Sequence, residues 1–336
     1  MSAPPESTPP ESTPAPAAAA PTLADAWAAW FAYRCCGTRP LRLSTRADYE
    51  SIWRCHLGPH LGDLPLDAIN GATVAQLVVA LSAAGLGPKR LANVLVPLRA
   101  CLRWHHRMGS FERNPSPWFD TSAPPADERL ILTIPQIERL LGELPEFYRP
   151  HIAFAAYTGV RLGELRALTW DDIDLESRTA RIDKTLYRDR LQRSTKSGHD
   201  RTVPVPLHLA EELRSWRGRC PAACGGDPPG SALAFPGPTG APLDADTFRA
   251  RVWRPAVAAA GLPPRLRIHD LRHTSASLYL QHGATVREVM EIHGWRQMQT
   301  ALRYLHAGDT LTAAADRLSE ARAANATARP PPANQD

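Results

Sequence analysis

The chain has 336 residues, of which 43% are hydrophobic, so it is long enough for two domains that each bury a core. Its 39 Lys and Arg residues exceed its 34 Asp and Glu residues, and the net charge of +5 favours a polyanionic partner over the role of an acidic metabolic enzyme. The sequence contains no run of about 18 apolar residues and no export signal at its start, so we expect a cytoplasmic protein without a membrane span.

Both ends of the chain are predicted to be disordered. Residues 1–21 are almost entirely Ala, Pro, Ser, Thr and Glu, and residues 323–336 form a tail rich in Ala and Pro. Such compositions bury too little apolar surface to offset the entropy that is lost on ordering. The folded part is therefore expected between these tails.

An all-helical domain is predicted at residues 22–115. Four segments have apolar residues at helical spacing: 23–31, 44–53, 73–84 and 88–106. Pro97 lies inside the fourth segment and predicts a kink, because it removes a backbone donor. The fourth segment also carries five basic residues that are suited to contact DNA phosphates: Lys89, Arg90, Arg99, Arg103 and Arg107. The alternative is that these charges only form a solvated face.

A second domain is predicted at residues 130–322, after a proline-rich linker at 116–129. It begins with a helix that Thr133 is suited to cap. Alternating apolar residues at 179–186 and 201–206 predict an antiparallel hairpin. Three further features are predicted in this domain: Lys196 in the polar tip of the hairpin, a short strand at 233–235 and a last helix at 310–321.

The segment from residue 269 to 304 is rich in side chains suited to phosphate chemistry. His269 and Arg272 are three residues apart, so on a helix they project from one face and can bind one anion together. Arginine donates two parallel hydrogen bonds to phosphate oxygens, and histidine transfers protons near neutral pH. Tyr304 is a candidate nucleophile, although a free phenol, with a pKa of roughly 10, needs neighbouring cations to stabilise its anion.

These residues resemble the catalytic motifs of the tyrosine recombinase family, also called phage integrases. The family pattern is His-x-x-Arg, then Gly-His or Gly-Trp, then a tyrosine nine residues after that His or Trp. His269, Arg272, Trp295 and Tyr304 match this pattern in order and spacing.

Two upstream segments extend the resemblance. Residues 158–165, Thr-Gly-Val-Arg-Leu-Gly-Glu-Leu, are similar to the segment with the family's first catalytic arginine, which is Arg161 here. Residues 195–204 are similar to the family's lysine hairpin and assign its lysine to Lys196. Glu164 lies one turn beyond Arg161 and is expected to pair with it.

The resemblance implies a multidomain, mainly α protein. Its amino-terminal part would be a SAM-like helical core-binding domain that clamps DNA, and its carboxy-terminal part a mixed α+β catalytic domain with a small antiparallel sheet. The implied partners are double-stranded DNA recombination sites, three further copies of the chain in a homotetramer on synapsed DNA, and an accessory directionality factor. A monomer free in solution, association with the nucleoid, and packing of the last helix on a neighbouring protomer are also implied.

The resemblance further implies a reaction without a metal or cofactor, in which Tyr304 attacks a DNA phosphate and forms a 3′-phosphotyrosyl link. Arg161 and Arg272 would neutralise the phosphate, His269 would assist proton transfer at Tyr304, and Lys196 would protonate the leaving 5′ oxygen.

Two supporting aromatic residues have smaller expected roles. Trp295 stands where many members have histidine; it would donate one hydrogen bond and buttress Tyr304. His273 is expected to pack or to form a local hydrogen bond.

Three other functions are weighed against recombination. A type IB topoisomerase uses a similar set of residues, and a DNA-binding protein that has lost catalysis would share the fold. A metal hydrolase is the third, because His269 and His273 are four residues apart as in His-Glu-x-x-His zinc helices, but Asp-Leu-Arg lies between them here. Cys220 and Cys224 also have metal spacing, but they lack a second ligand pair, so we expect a loop there.

Overall fold

The computed structural model describes residues 21–38, 40–110, 129–187, 190–192, 200–221, 227–302 and 304. The chain divides into two compact units, residues 1–127 and 128–336. Several predicted features lie outside the described residues: the tails at 1–20 and 323–336, the linker at 116–128, Lys196, Cys224 and the helix at 310–321.

The described part of the first unit contains five α-helices: α1 (Leu23–Cys36), α2 (Leu43–Ile52), α3 (Gly58–Leu61), α4 (Gly71–Ala83) and α5 (Pro88–Arg107). Capping residues define two of the helix starts. Thr22 and Asp25 form a capping box at α1, and the Asn70 side chain accepts hydrogen bonds from two backbone N–H groups of α4. The sequence does not predict α3, because Gly58 and Pro59 at its start are typical of turns.

Aromatic side chains of α1 organise the core of this unit. Trp27 stacks on Trp53, which lies in a π-helical turn after α2, with ring centroids 4.8 Å apart, and it meets Trp30 edge-on at 5.1 Å. His105, near the end of α5, donates from Nε2 to the carbonyl oxygen of Ala26 at 2.8 Å. Aromatic packing therefore connects α1 with the turn after α2, and one buried hydrogen bond connects α1 with α5.

The described part of the second unit contains nine α-helices: α6 (Ile134–Glu143), α7 (Arg149–Thr158), α8 (Leu162–Leu165), α9 (Leu207–Arg217), α10 (Ala245–Phe248), α11 (Arg254–Ala259), α12 (Asp270–Gln281), α13 (Val286–His293) and α14 (Met298–Leu302). As predicted, Thr133 caps α6, in a capping box with Gln136. The central helix α7 is buried, with Ile152 and Phe154 in the core, and it packs against α12. This packing brings the start of α12 near the end of α7.

The described part of the second unit also contains five short strands: β1 (Ile173–Asp174), β2 (Thr179–Ile182), β3 (Thr185–Tyr187), β4 (Arg190–Gln192) and β5 (Arg201–Pro204). β2 pairs antiparallel with β1 and with β5, and Ala180 lies opposite Val203. β3 and β4 form a separate antiparallel pair.

The predicted hairpin is present, but the continuous strand predicted at 179–186 is wrong. The strand β2 ends at Ile182. Lys184, two residues further on, forms an ion pair with Asp172 at 2.7 Å. The short strand predicted at 233–235 is reduced to a single antiparallel bridge between Leu233 and Thr169.

Every helix among the described residues is too short or too polar to cross a membrane.

Candidate active site

Arg161 lies in the turn between α7 and α8. The preceding Gly159 ends α7 in the left-handed conformation, with φ of +68°. A Cβ atom at this position would lie only 2.5 Å from Nε2 of His293. Glycine is therefore required at residue 159 both for the backbone conformation and for the close approach of α13.

Glu164 holds two arginines around one buried carboxylate. It accepts hydrogen bonds from Nη1 of Arg161 at 2.7 Å and from the Arg161 backbone N–H at 2.9 Å. Arg201, at the start of β5, donates from Nη1 and Nη2 to the two carboxylate oxygens at 3.2 and 2.6 Å. Burial raises the pKa of Glu164, but the hydrogen bonds and charge of Arg201 and the charge of Arg161 outweigh it and lower the pKa to about 2.

Arg272, on the first turn of α12, is only 3% exposed. It donates from Nη1 to the carbonyl oxygen of Gly159 at 2.6 Å and from Nη2 to the carbonyl oxygen of His293. Its guanidinium also lies 5.7 Å from the ring centre of Trp295. These contacts fix the guanidinium at the point where α7, α12 and α13 meet.

Arg272 lies in a site with more positive than negative charge. Burial lowers this pKa to about 9, and the charges of Arg161 and Arg201 act in the same direction, while Glu164 opposes them. Arg272 stays protonated at neutral pH, so one carboxylate faces the charges of three guanidinium groups, two of them by direct hydrogen bonds. Such a cluster favours the binding of an anion. A phosphate fits it, because two phosphate oxygens can accept the two parallel hydrogen bonds that a guanidinium group donates.

Tyr304 is 3% exposed and contacts two rings. Trp295 stacks on it at 5.2 Å with an angle of 8° between the ring planes, and His273 stacks at 5.7 Å with an angle of 27°. The phenol forms a hydrogen bond with Nδ1 of His273, and the guanidinium of Arg129 lies 4.9 Å from the centre of the phenol ring.

The two histidines of α12 have different surroundings. His269 is exposed at the N-cap of the helix, and its ring is 5.2 Å from that of His273. Burial lowers the pKa of His273 to about 4, and the charges of His269, Arg129 and Arg272 lower it further, against the effect of Asp270. The zinc alternative for this histidine pair fits poorly, because the neighbouring arginines repel a cation.

The structure brings together most of the residues that the sequence singles out. Direct contacts join Arg161 to Glu164, Arg272 to Trp295, and Trp295 to Tyr304. The charges of Arg161 and Glu164 also act on Arg272, so these five residues lie in one region. Lys196 lies outside the described residues.

Sequence reasoning missed two contributors. Arg201 received no separate role, although a charged residue at the start of a buried strand is a signal for an ion pair. His273 packs, as expected, but its hydrogen bond is not local, because its partner Tyr304 is 31 residues further along the chain.

The basic residues of α5 lie mainly on one face of that helix. At 100° per residue, Lys89, Arg99, Arg103 and Arg107 fall within about 80° of one another, and Arg90 lies about 140° from Arg103. Arg99 is half-buried and the other four residues are exposed. Lys89, Arg99, Arg103 and Arg107 thus form a basic stripe on α5 that is suited to contact a phosphate backbone. Arg90 lies on another side of the helix.

A sequence profile of the phage integrase family matches residues 131–310, which is more than half of the chain. The chain belongs to the phage integrase family. This membership confirms the resemblance found in the motifs and the expectation of a DNA recombination enzyme of the tyrosine recombinase type.

Named relatives of this integrase family member include two types of recombinase. A prophage phiRv2 integrase of Mycobacterium tuberculosis is 28% identical over 80% of this chain and 71% of the relative. A tyrosine recombinase XerC of Xanthomonas campestris is 27% identical over 71% of this chain and 70% of the relative.

Solved integrase structures share its fold. The Tn1549 transposon integrase, in complex with a circular intermediate DNA, matches with a TM-score of 0.74 at 20% identity, over 89% of this chain and 99% of that one. A lambda integrase dimer bound to a core site matches with a TM-score of 0.65 at 19% identity, over 84% and 95% of the two chains. The mainly helical fold class with a small antiparallel sheet is thereby confirmed.

Proposed function

We propose that this integrase family member is a site-specific DNA recombinase that integrates and excises a mobile element, with Tyr304 as its nucleophile. The observation that carries the proposal is the cluster of three guanidinium groups, Arg161, Arg201 and Arg272, at the buried carboxylate of Glu164, with Tyr304 in electrostatic reach of Arg272. Among known relatives, the names of a prophage integrase and a transposon integrase favour a mobile element as the substrate.

In the proposed reaction, the phenol oxygen of Tyr304 attacks a scissile phosphorus atom. The new O–P bond forms a 3′-phosphotyrosyl link, and the bond to the 5′ oxygen breaks in line with it. Arg161 and Arg272 neutralise the non-bridging oxygens as negative charge builds in the transition state. A 5′-hydroxyl from a partner strand then reverses the step and joins two DNA molecules without a cofactor.

The remaining proposed residues manage protons and position the nucleophile. His269, exposed at the start of α12, assists proton transfer to or from Tyr304, and Lys196 is the proposed general acid for the 5′ oxygen. Trp295 holds the ring of Tyr304 by stacking on it.

The proposed partners follow from the reaction. Strand exchange between two DNA duplexes requires double-stranded recombination sites and two pairs of active sites, hence a homotetramer of chains that are monomers in solution. A neighbour with the same fold is a lambda integrase tetramer bound to a Holliday junction. We also propose an accessory directionality factor as a partner and a location on the nucleoid. The proposed core-binding domain spans residues 22–115, and the proposed catalytic domain spans residues 130–322.

The experiment is covalent trapping on nicked suicide substrates made from the DNA that flanks the gene. Loss of a short fragment after cleavage prevents religation, so we expect an adduct with the wild-type chain and none with Tyr304→Phe. A wild-type chain that binds this DNA without forming an adduct would contradict the proposal and favour a DNA-binding protein without catalysis. Relaxation of supercoiled plasmid without exchange between two duplexes would instead indicate a type IB topoisomerase.

A further inference from the structure

We propose that Arg129 is a positioning residue of the nucleophile: its guanidinium group holds the phenol ring of Tyr304, and its positive charge favours the phenolate that attacks phosphorus. This inference rests on the function proposed above and deepens it. The motifs that carry the family resemblance do not include Arg129, and the sequence alone places this residue in the linker predicted at 116–129.

The contact between Arg129 and Tyr304 lies within the second unit, which begins at residue 128. The guanidinium carbon of Arg129 lies over the phenol ring, 4.9 Å from its centre. Tyr304 is 3% exposed and Arg129 is half-buried. The ring electrons attract a guanidinium group at this distance, and the attraction is stronger where water is excluded.

The backbone holds the segment that carries Arg129 beside α12. The backbone N–H of Leu132 donates to Oγ1 of Thr274 at 3.1 Å, and Leu132 is 3% exposed in the core. Thr274 directly follows His273, which forms a hydrogen bond with the phenol of Tyr304. The start of the unit and the nucleophile are therefore attached to neighbouring residues of one helix, which fixes the approach of Arg129 to the ring.

The charges around the phenol favour its anion. Arg272 interacts electrostatically with Tyr304, and the charge of Arg129 reaches His273 as well. Burial lowers the pKa of His273 to about 4, and the charges of His269 and Arg129 lower it further, so this imidazole is neutral at pH 7. Arg129 thus adds its permanent charge to that of Arg272 beside the nucleophile.

The charge of Arg129 has its largest effect when the phenol ionises. A neutral phenol attracts a cation only through its ring electrons, whereas a phenolate carries a full negative charge that is partly delocalised into the ring. Arg129 therefore stabilises the attacking form of Tyr304 more than the resting form, which lowers the barrier to attack. Arg129 exchanges no proton and forms no covalent bond, and the proton transfer at Tyr304 stays with His269.

The same charge acts when DNA is rejoined. The phenolate is then the leaving group, because the 5′-hydroxyl of the incoming strand displaces Tyr304 from phosphorus. A cation at the ring stabilises this phenolate as it departs. Arg129 is therefore expected to accelerate both cleavage and rejoining.

The test is single-turnover cleavage of the nicked suicide substrate at saturating DNA by Arg129→Gln and Arg129→Lys. Gln removes the charge and keeps a polar side chain, whereas Lys keeps the charge. We expect Arg129→Gln to cleave about tenfold more slowly than wild type at pH 7 and Arg129→Lys to stay within about threefold of it.

The matched control is Arg287→Gln. It removes the same charge from an exposed side chain that pairs with Glu291 on α13. Its cleavage rate should stay within about twofold of wild type, because an exposed charge is screened by water and salt.

A fluorinated nucleophile separates phenolate stabilisation from a contact with DNA. Difluorotyrosine in place of Tyr304 ionises near neutral pH, so its anion needs less stabilisation by a cation. In this background we expect Arg129→Gln to slow cleavage by less than about threefold. A loss that stays about tenfold would overturn the role of the charge and assign Arg129 to placement of the ring or to DNA binding.

Rejoining and DNA affinity add two readouts. The covalent adduct is supplied with a strand that carries a 5′-hydroxyl, and we expect Arg129→Gln to rejoin about tenfold more slowly than wild type. Fluorescence anisotropy should show DNA affinity within about twofold of wild type. Weaker binding with a normal cleavage rate at saturating DNA would identify Arg129 as a phosphate contact and overturn the proposal.

Two further results would overturn the role of Arg129. These are a wild-type cleavage rate in Arg129→Gln and equal losses in the Gln and Lys variants. If Arg129→Gln is unfolded in a thermal scan, Arg129→Met, which keeps an aliphatic stem over the ring, decides in its place. Absence of any adduct with wild type would instead overturn the proposed function, whereas a wild-type adduct with an unaffected Arg129→Gln overturns only the role of Arg129.

Discussion

Arg201 and Glu164 form a bidentate ion pair inside the catalytic unit, with Nη2–Oε2 and Nη1–Oε1 distances of 2.6 and 3.2 Å. Both side chains are almost fully buried. The same carboxylate binds Arg161, and Nε of Arg201 donates to the carbonyl oxygen of Ile292 at 3.0 Å. One residue of β5 therefore connects the turn that carries Arg161 with the helix that precedes Trp295.

Replacement of Arg201 should destabilise the unit strongly. Arg201→Ala leaves the Glu164 carboxylate buried with only part of its counter-charge, so we expect the free energy of unfolding to fall by about 3 kcal/mol. The measurement is urea unfolding of the full chain. The matched control is Arg287→Ala, which breaks an exposed pair with Glu291 at 3.1 Å and should cost under about 1 kcal/mol. Equal losses in the two variants would contradict the structural role of Arg201.

Glu164 should make stability depend on pH at the acidic end. Its pKa is lowered from 4.5 to about 2 in the folded chain, so the contribution is fully present above pH 4.5 and is lost as the pH falls towards 2. We expect Glu164→Gln to be less stable than wild type at pH 7 by on the order of 2–3 kcal/mol, with a difference that shrinks between pH 4.5 and 2. Thermal unfolding of both chains across this range measures it. A constant difference would rule out the ionised carboxylate as its source.

Replacement by alanine should destabilise the protein more at Gly159 than at Gly261, a glycine with a similar φ angle. Gly261 has φ of +64°, and a Cβ there meets nothing within 4 Å, whereas at Gly159 it meets His293 at 2.5 Å. Gly261→Ala should cost about 1–2 kcal/mol from the left-handed backbone alone. Gly159→Ala should cost about 1–3 kcal/mol more and slow cleavage, because the carbonyl oxygen that holds Arg272 must move. Similar stability and cleavage rates in both variants would contradict the close approach.

The stripe on α5 predicts a salt-dependent effect on DNA affinity. Arg103→Ala should weaken binding and lower the slope of log affinity against log salt by about 0.9, because one phosphate contact is lost. Arg90→Ala, which removes the same charge from another side of the helix, should leave the slope nearly unchanged. Fluorescence anisotropy titrations at several salt concentrations test this, and equal slopes in the two variants would favour a general charge effect.

Stacking of Trp295 on Tyr304 predicts which replacements preserve activity. Trp295→Phe keeps a ring on the tyrosine and should cleave within about threefold of wild type, whereas Trp295→Ala should lose about tenfold, the equivalent of roughly 1.4 kcal/mol of stacking. Single-turnover cleavage measures both. If Phe is as slow as Ala, the indole N–H and not the stack is the contribution that matters.

Much of this site follows from the order of residues along the chain. The spacing of His269, Arg272, Trp295 and Tyr304 predicts their shared chemistry, and Glu164 pairs with Arg161 because one helical turn separates them. The helices were predictable for the same reason: apolar periodicity and caps such as Thr133 act over a few residues.

The sequence alone therefore determined the family, the main helices and the side chains suited to phosphate chemistry. Only the tertiary structure decided that Arg201 shares the carboxylate of Glu164 and that His273 bonds to Tyr304. The physical reason is that both contacts join segments far apart in the chain, so they depend on how helices and strands pack, which local spacing does not encode. The break after Ile182 is likewise absent from the local pattern of apolar residues, and Lys184 just beyond it forms an ion pair with Asp172.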